Sequence, residues 1–143
     1  MASKAGSKRG VKEPGCVVVV ALFNEETVIT GVVTDLQKHF SRIVCVDDGS
    51  SDGSAEAARR AGATVIAHPM NLGQGAALQT GITWAKRKGD LDYLITFDGD
   101  GQHKVDDVVD MLSYARRRDL AIVFGSRFLD KRTKPDLSSE ERG

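Results

Sequence analysis

The sequence predicts an α/β fold built on a mostly parallel central sheet, and three observations carry that prediction. Five short apolar runs with the look of strands alternate with amphipathic or alanine-rich runs with the look of helices, the signature of repeated βαβ units. The first strand run, CVVVVALF from Cys16 to Phe23, is apolar at every position, as in a strand covered by helices on both faces. Each strand run also stops at polar residues: Asn24 and Glu25, Asp47 and Asp48, His68 and Asn71, Asp98 and Asp100, Ser126 and Arg127. In parallel sheets ligands bind beyond the carboxyl ends of the strands, so polar chemistry is expected on one edge.

The elements follow in order. Residues 1–15, MASKAGSKRGVKEPG, form a basic, Gly/Ser-rich tail. After CVVVVALF, Asn24 is placed to cap a helix in which Val28, Val32, Leu36 and Phe40 recur at fourfold spacing beside Ile29 and Val33. RIVCVD is the second strand and runs into DDGSSDGS, where Asp52 or Ser54 can cap the short helix AEAARRA that Gly62 stops. ATVIA is the third strand, HPMNLGQG a loop, and AALQTGITWAKRKG a helix that tolerates Gly81. DYLITF is the fourth strand. Beyond DGDGQH, VDDVVDMLSYARRR sets Val105, Val108, Val109, Met111 and Leu112 near one side, with a basic last turn that suits the helix dipole. LAIVFG is the fifth strand, leading into SRF. The remaining LDKRTKPDLSSEERG is polar and lacks periodicity. The domain therefore covers 16–128, between a tail at 1–15 and a polar tail at 129–143.

Bulk properties narrow the class. A chain of 143 residues with 41% apolar and 28% charged residues suits one globular domain. Twenty basic and twenty acidic residues cancel, so no global field attracts nucleic acid or an anionic membrane and any anion site is local. Cys16 and Cys45 stand in apolar strand runs without C-x-x-C spacing, which reads as buried thiols. The N-terminus lacks the apolar stretch of a secretory signal and no segment reaches the roughly 20 apolar residues of a membrane span. A cytoplasmic location, or a peripheral one on the cytosolic face of a membrane, is expected.

In YLITFDGDGQH, Asp98 and Asp100 lie two apart, so extended backbone points both carboxylates the same way. Mg²⁺ or Mn²⁺ is the simplest occupant, since hard cations prefer carboxylate and phosphate oxygens. Gln102 continues the parity. The bland reading is an acidic Asp-Gly turn, and the position at a buried strand end weighs against it. An EF-hand loop is excluded because its sixth position, which must be glycine, is His103. In VDDGSSDGS a carboxylate of Asp47 or Asp48 can accept from a base N–H or a ribose hydroxyl. Gly73 and Gly75 of NLGQGAALQTG match G-x-G, but Leu78 occupies the third glycine position, which argues against a dinucleotide fingerprint. A phosphate at that helix N-terminus and a merely tight turn are equally compatible with the motif. His39 and His68 read as ordinary helix-face or loop residues, Trp84 as packing, and residues 115–118 as a solvated helix end.

The motifs ALFNEE, VDDGSSDGS, NLGQGAALQTGI, FDGDGQH and FGSRF, in that order over about residues 16–128, resemble the family 2 glycosyltransferases of the GT-A fold. The branch they look closest to contains dolichol-phosphate mannose synthase and other polyprenyl-phosphate glycosyltransferases. The resemblance implies a three-layer, Rossmann-like nucleotide-binding fold and a metal-dependent inverting transfer from a UDP- or GDP-sugar to a polyprenyl phosphate. It places Ala21, Phe23 and Glu25 along the nucleotide pocket, Asp48 on the base, and Gly75 at the nucleotide sugar. Asp98 falls near donor ribose and metal, Asp100 on the metal as a direct ligand, Gln102 close to it, and Arg127 near donor or acceptor phosphate. Asp98, Asp100 and Arg127 are thus the candidate catalytic residues.

The sequence departs from the family's pattern at Ala21, where proline is usual, and at Phe23, where tyrosine is usual, so a stacking surface survives and a hydroxyl is lost. The family's acceptor segments, which follow the GSRF motif, are not found in this sequence. That leaves room for a non-catalytic nucleotide-sugar-binding module or an inactive truncated transferase, for a homo-oligomer, and for a separate acceptor or membrane subunit. A third reading is a haloacid-dehalogenase-like phosphohydrolase, in which a strand also ends in D-x-D-G and the first aspartate is a nucleophile.

Overall fold

The computed structural model describes residues 15–89, 91–100, 104–117 and 122–124. The elements run β1 (Cys16–Leu22), α1 (Ile29–Gln37), β2 (Ile43–Asp47), α2 (Ser54–Ala61), β3 (Thr64–Ala67), α3 (Gln74–Lys88), β4 (Tyr93–Asp98), α4 (Val105–Arg117) and β5 (Ile122–Phe124). The strands form one sheet in the order β3-β2-β1-β4-β5, and every pairing is parallel. The α/β reading with a parallel sheet holds, and the alternation of runs is its cause.

The unbroken apolar run of β1 is explained by its two faces. Cys16, Val18, Val20 and Leu22 point into a core shared with Ile29, Val33 and Leu36 of α1, Ala58 of α2, and Val108 and Leu112 of α4. Val17 and Val19 point the other way, against Ala77 and Ala85 of α3, with Val44, Val46 and Leu94 beside them. Period-2 alternation along an all-apolar strand thus feeds two cores at once. Helices lie on both sides and the sheet forms the middle of three layers.

Helix boundaries moved where a cap expected from sequence has a long-range partner. Asn24 does not cap α1, which starts at Ile29 behind Val28 with no side-chain cap. Asp52 stands one residue before the Gly53 cap of α2, yet its Oδ1 accepts the N–H of Ser54, the first helical residue, at 2.9 Å. Gly62 ends α2 at φ 109°, the left-handed conformation expected of it. Phe40 lies three residues past the end of α1 but is fully buried, so its fourfold spacing marks core contact and not helix length. Among the described residues no helix is long and apolar enough to cross a membrane.

Gly81 sets how closely α3 lies on β1. A Cβ built there would stand 2.3 Å from Cγ1 of Val19 and 3.2 Å from its Cγ2, and Val19 is buried and stiff at χ1. In an open helix Gly→Ala gains up to about 1 kcal/mol; overpacking a tight core costs about 1–3 kcal/mol. Gly81→Ala should therefore lower the urea midpoint, while Gly31→Ala in α1, where a Cβ meets nothing within 4 Å, should raise it. Stabilisation by Gly81→Ala would refute the close α3–β1 contact.

Candidate functional site

The sheet order turns back on itself at β1. The chain winds outward through β2 and β3, then returns to place β4 on the other side of β1. A parallel sheet opens a crevice at such a reversal, outside the strand ends. Register fixes what faces it: Leu22 pairs with Asp47 on one side and Ala21 with Asp98 on the other. The two acidic strand ends therefore flank the same end of β1. Phe23, next in the chain, is 44% exposed there.

The ALFNEE and DDGSSDGS loops are stitched together residue by residue. The N–H of Asn24 donates to Oγ of Ser50 at 2.8 Å, and its Oδ1 accepts the N–H of Ser51 at 2.9 Å. The N–H of Glu25 donates to Oγ of Ser54 at 2.8 Å, and Oε1 of Glu26 accepts the N–H of Gly53 at 3.1 Å. Asn24 adopts φ 52°, a left-handed conformation that asparagine tolerates better than most residues. Gly49 has φ 78°, and a Cβ there would lie 2.5 Å from the carbonyl carbon of Met70, so glycine lets the second loop touch the loop after β3.

Asp47 and Asp48 are both buried. The hydroxyl of Ser50 donates to Oδ1 of Asp47, and its N–H reaches the same atom at 3.3 Å. Asp48 receives more: Leu72 N–H on Oδ1 and Gly73 N–H on Oδ2, each at 2.8 Å, and His68 Nδ1 on Oδ1 at 2.9 Å. Burial alone would raise the Asp48 carboxyl, but these hydrogen bonds outweigh it and hold the group below its ordinary value. Burial, with some help from Asp47, pushes the Cys45 thiol up to about 12; Cys16 is buried too, so both thiols stay protonated or inaccessible and inert.

On the other flank, Asp98 and Asp100 are half-buried. Nε2 of Gln74, the first residue of α3, donates to Oδ1 of Asp98 at 2.6 Å. Burial, followed by the charges of Asp100, Asp52 and Asp98, pushes the Glu25 carboxyl above its ordinary value. Three loops thus converge their carboxylates on one region of negative potential. Among the described residues no three His, Cys, Asp or Glu side chains gather into a complete metal cage. Mg²⁺ needs none, because it is held by one or two carboxylates together with phosphate oxygens and water. The Asp98–Asp100 pair is an all-oxygen donor set of that kind and fits such an ion. Gly75, in the first turn of α3, leaves open space where a Cβ would stand.

Of the residues singled out from sequence, Ala21, Phe23, Glu25, Asp48, Gly75, Asp98 and Asp100 fall at the carboxyl edge of the sheet, whereas Gln102 and Arg127 lie outside the described residues. His68 was passed over as an ordinary loop residue, yet its ring bonds Asp48 and also Oγ1 of Thr80, at 2.9 Å each. Its one sequence signal was its place directly after a strand. Gln74 was missed as well, since nothing local ties it to Asp98, 24 residues ahead.

Comparison with known proteins identifies the family. A family model described as "Glycosyl transferase family 2" matches residues 17–140. An uncharacterised protein of Methanocaldococcus jannaschii is 42% identical over 118 residues, 80% of this chain and 47% of that protein. The UDP-N-acetylglucosamine–dolichyl-phosphate N-acetylglucosaminyltransferase of Methanococcus voltae is 31% identical over 128 residues, 77% of this chain and 51% of that protein. The dodecaprenyl-phosphate galacturonate synthase of Rhizobium johnstonii is 31% identical over 122 residues, 77% of this chain and 35% of that protein. The chain spans about half the length, or less, of these relatives.

The Asp48 network has a measurable acid signature. Its folded pKa is depressed, so the stability it contributes is complete above the unfolded aspartate value of about 3.9 and disappears as pH falls through the lower folded value. Asp48→Asn should cost about 1–3 kcal/mol at pH 7, the scale of a buried hydrogen-bonding group left mismatched, and should flatten the loss of stability below about pH 4. Denaturation midpoints taken from pH 3 to 7 check this; equal slopes in both proteins would contradict the network.

Proposed function

The chain belongs to glycosyltransferase family 2, and from that premise we propose that residues 16–128 form the donor-binding domain of an enzyme moving a sugar from a nucleotide sugar to a polyprenyl phosphate. Family membership supports the transferase class. The printed names of the relatives from M. voltae and R. johnstonii, a dolichyl-phosphate and a dodecaprenyl-phosphate enzyme, support the acceptor class. The single structural observation behind the donor assignment is the pairing of Leu22 with Asp47 and Ala21 with Asp98, which sets two acidic strand ends astride one crevice.

In this reading the nucleoside of a UDP- or GDP-sugar lies over Phe23, with Ala21 beneath it and Glu25 toward the ribose. Asp48 accepts from the base. The diphosphate then falls across β1 toward Asp98 and Asp100, past the open first turn at Gly75. Asp98, Asp100 and Gln102 are the candidate holders of Mg²⁺ or Mn²⁺, which when bound stabilises charge on the departing diphosphate. Gln74 fixes the orientation of Asp98. A polyprenyl phosphate is already anionic, so attack from the face opposite the leaving group, with inversion, needs no strong general base. Arg127 is the candidate for steadying donor or acceptor phosphate. The acceptor would offer its phosphate at a membrane surface.

Thermal denaturation with UDP, GDP and their sugars, with and without Mn²⁺, tests the donor site. A nucleotide at a hundredfold its Kd stabilises by about 2.7 kcal/mol, a shift of several degrees in a domain of this size. We expect such a shift with at least one nucleotide, enlarged by Mn²⁺, and loss of the Mn²⁺-dependent part in Asp100→Ala. Indifference to every nucleotide would sink the reading. Phosphate release from simple phosphomonoesters, abolished by Asp98→Asn, would instead establish a phosphohydrolase. Binding of donor without transfer to a polyprenyl phosphate would leave a binding module.

Glu25 gives a second, independent check on the metal. Its raised pKa means that the ionised form opposes folding above its folded pKa, and that this penalty eases as pH falls through that value. Glu25→Gln should stabilise the metal-free chain by roughly 0.5 kcal/mol, the scale of an exposed charge pair. The gain should shrink when Mn²⁺ is present. A gain that is unchanged by Mn²⁺ would argue against a cation beside Asp98 and Asp100.

A further inference from the structure

We propose that His68 is a positioning residue for the nucleoside, acting through Asp48, a role that rests on the assignment of Asp48 to the base. β3 ends with Ala67 paired to Asp47, and His68 continues the ladder by donating its N–H to the carbonyl of Asp47 at 2.8 Å. Its side chain is only 9% exposed. Nδ1 lies 2.9 Å from Oδ1 of Asp48 and Nε2 lies 2.9 Å from Oγ1 of Thr80 in the second turn of α3. An ionised carboxylate only accepts, so Nδ1 carries the proton; in the neutral ring Nε2 then accepts the Thr80 hydroxyl. Both ends of the ring are held, which fixes its tautomer and orientation.

That ring is the side-chain link between the Asp48 carboxylate and the body of α3. The other two donors to Asp48 are the amides of Leu72 and Gly73, in a loop whose Met70 and Leu72 side chains are 61% and 54% exposed. Gly73 caps α3 and Leu72 precedes it, so these amides hold the carboxylate to the end of the helix. His68 ties it to the second turn of α3 as well, through Thr80. It also decides which oxygen is left to read. Among the described residues Oδ1 takes both Leu72 N–H and His68, whereas Oδ2 takes only Gly73 N–H. Each carboxylate oxygen has about two acceptor directions, so one direction on Oδ2 remains for a ring N–H of a base.

The test compares His68→Ala, His68→Asn and Thr80→Val in the full chain. Calorimetry gives affinities for UDP, GDP and inorganic pyrophosphate, each with Mn²⁺, and hydrogen exchange follows the Leu72 and Gly73 amides. His68→Ala should weaken the tighter-binding nucleoside diphosphate about tenfold, a typical worth for one hydrogen bond to a charged group, with pyrophosphate within about twofold. His68→Asn, whose side-chain N–H can replace Nδ1–H, should recover most of that loss. Thr80→Val, which frees the far end of the ring without touching Asp48, should lose about threefold. Exchange at Leu72 and Gly73 should quicken in His68→Ala. Equal weakening of nucleotide and pyrophosphate, no recovery by asparagine, or unchanged exchange would each overturn the proposal. If the unmodified chain binds no nucleoside diphosphate, the donor assignment fails, and with it the role of His68 toward a base. Exchange at Leu72 and Gly73 would still show whether the ring holds the Asp48 loop.

Discussion

The site depends on the burial of two adjacent carboxylates where β2 ends. Each ion loses several kcal/mol of solvation unless the protein replaces it, and Asp47 and Asp48 are replaced with hydrogen-bond donors from separate parts of the chain. Ser50 turns back onto Asp47, which shapes the DDGSSDGS loop. Leu72 and Gly73 bend toward Asp48, which delivers the first turn of α3. Ser50 and Ser51 in turn hold Asn24, so the loop after β1 is set by the same arrangement. Three of the loops around the crevice thus take their positions from one electrostatic demand.

What was legible in the sequence was what repeats locally. Strand and helix runs alternated, β1 was apolar throughout because both faces are covered, and Gly62 stopped its helix as a left-handed glycine should. The polar strand ends fall on one edge because register in a parallel sheet aligns them. What stayed hidden was set by partners distant in sequence. Asn24 has the chemistry of a helix cap, but its side-chain oxygen accepts the N–H of Ser51, 27 residues away. Phe40 continued a helical spacing beyond the helix because the core, and not the helix, required it. His68 looked ordinary because its worth lies in Asp48 and Thr80, 20 and 12 residues off.

The two acidic ends of the crevice are held by different kinds of donor. On the β2 side the protein supplies the donors, and Asp48 stays ionised below the ordinary carboxylate range. A carboxylate held that way is a fixed, rigid acceptor, suited to reading a neutral N–H. On the β4 side a neutral amide, Gln74, orients Asp98, and burial, followed by the charges of Asp100, Asp52 and Asp98, pushes Glu25 upward. In the proposed reading a divalent cation would ease the repulsion among these carboxylates and share the charge of the diphosphate. The order of strands sets the two acidic ends on either side of β1, and the proposed donor would lay its nucleoside toward one and its diphosphate toward the other. On the proposed reading, recognition of the base belongs to the carboxylate that buried donors fix at the end of β2, and handling of the diphosphate to the carboxylates at the end of β4.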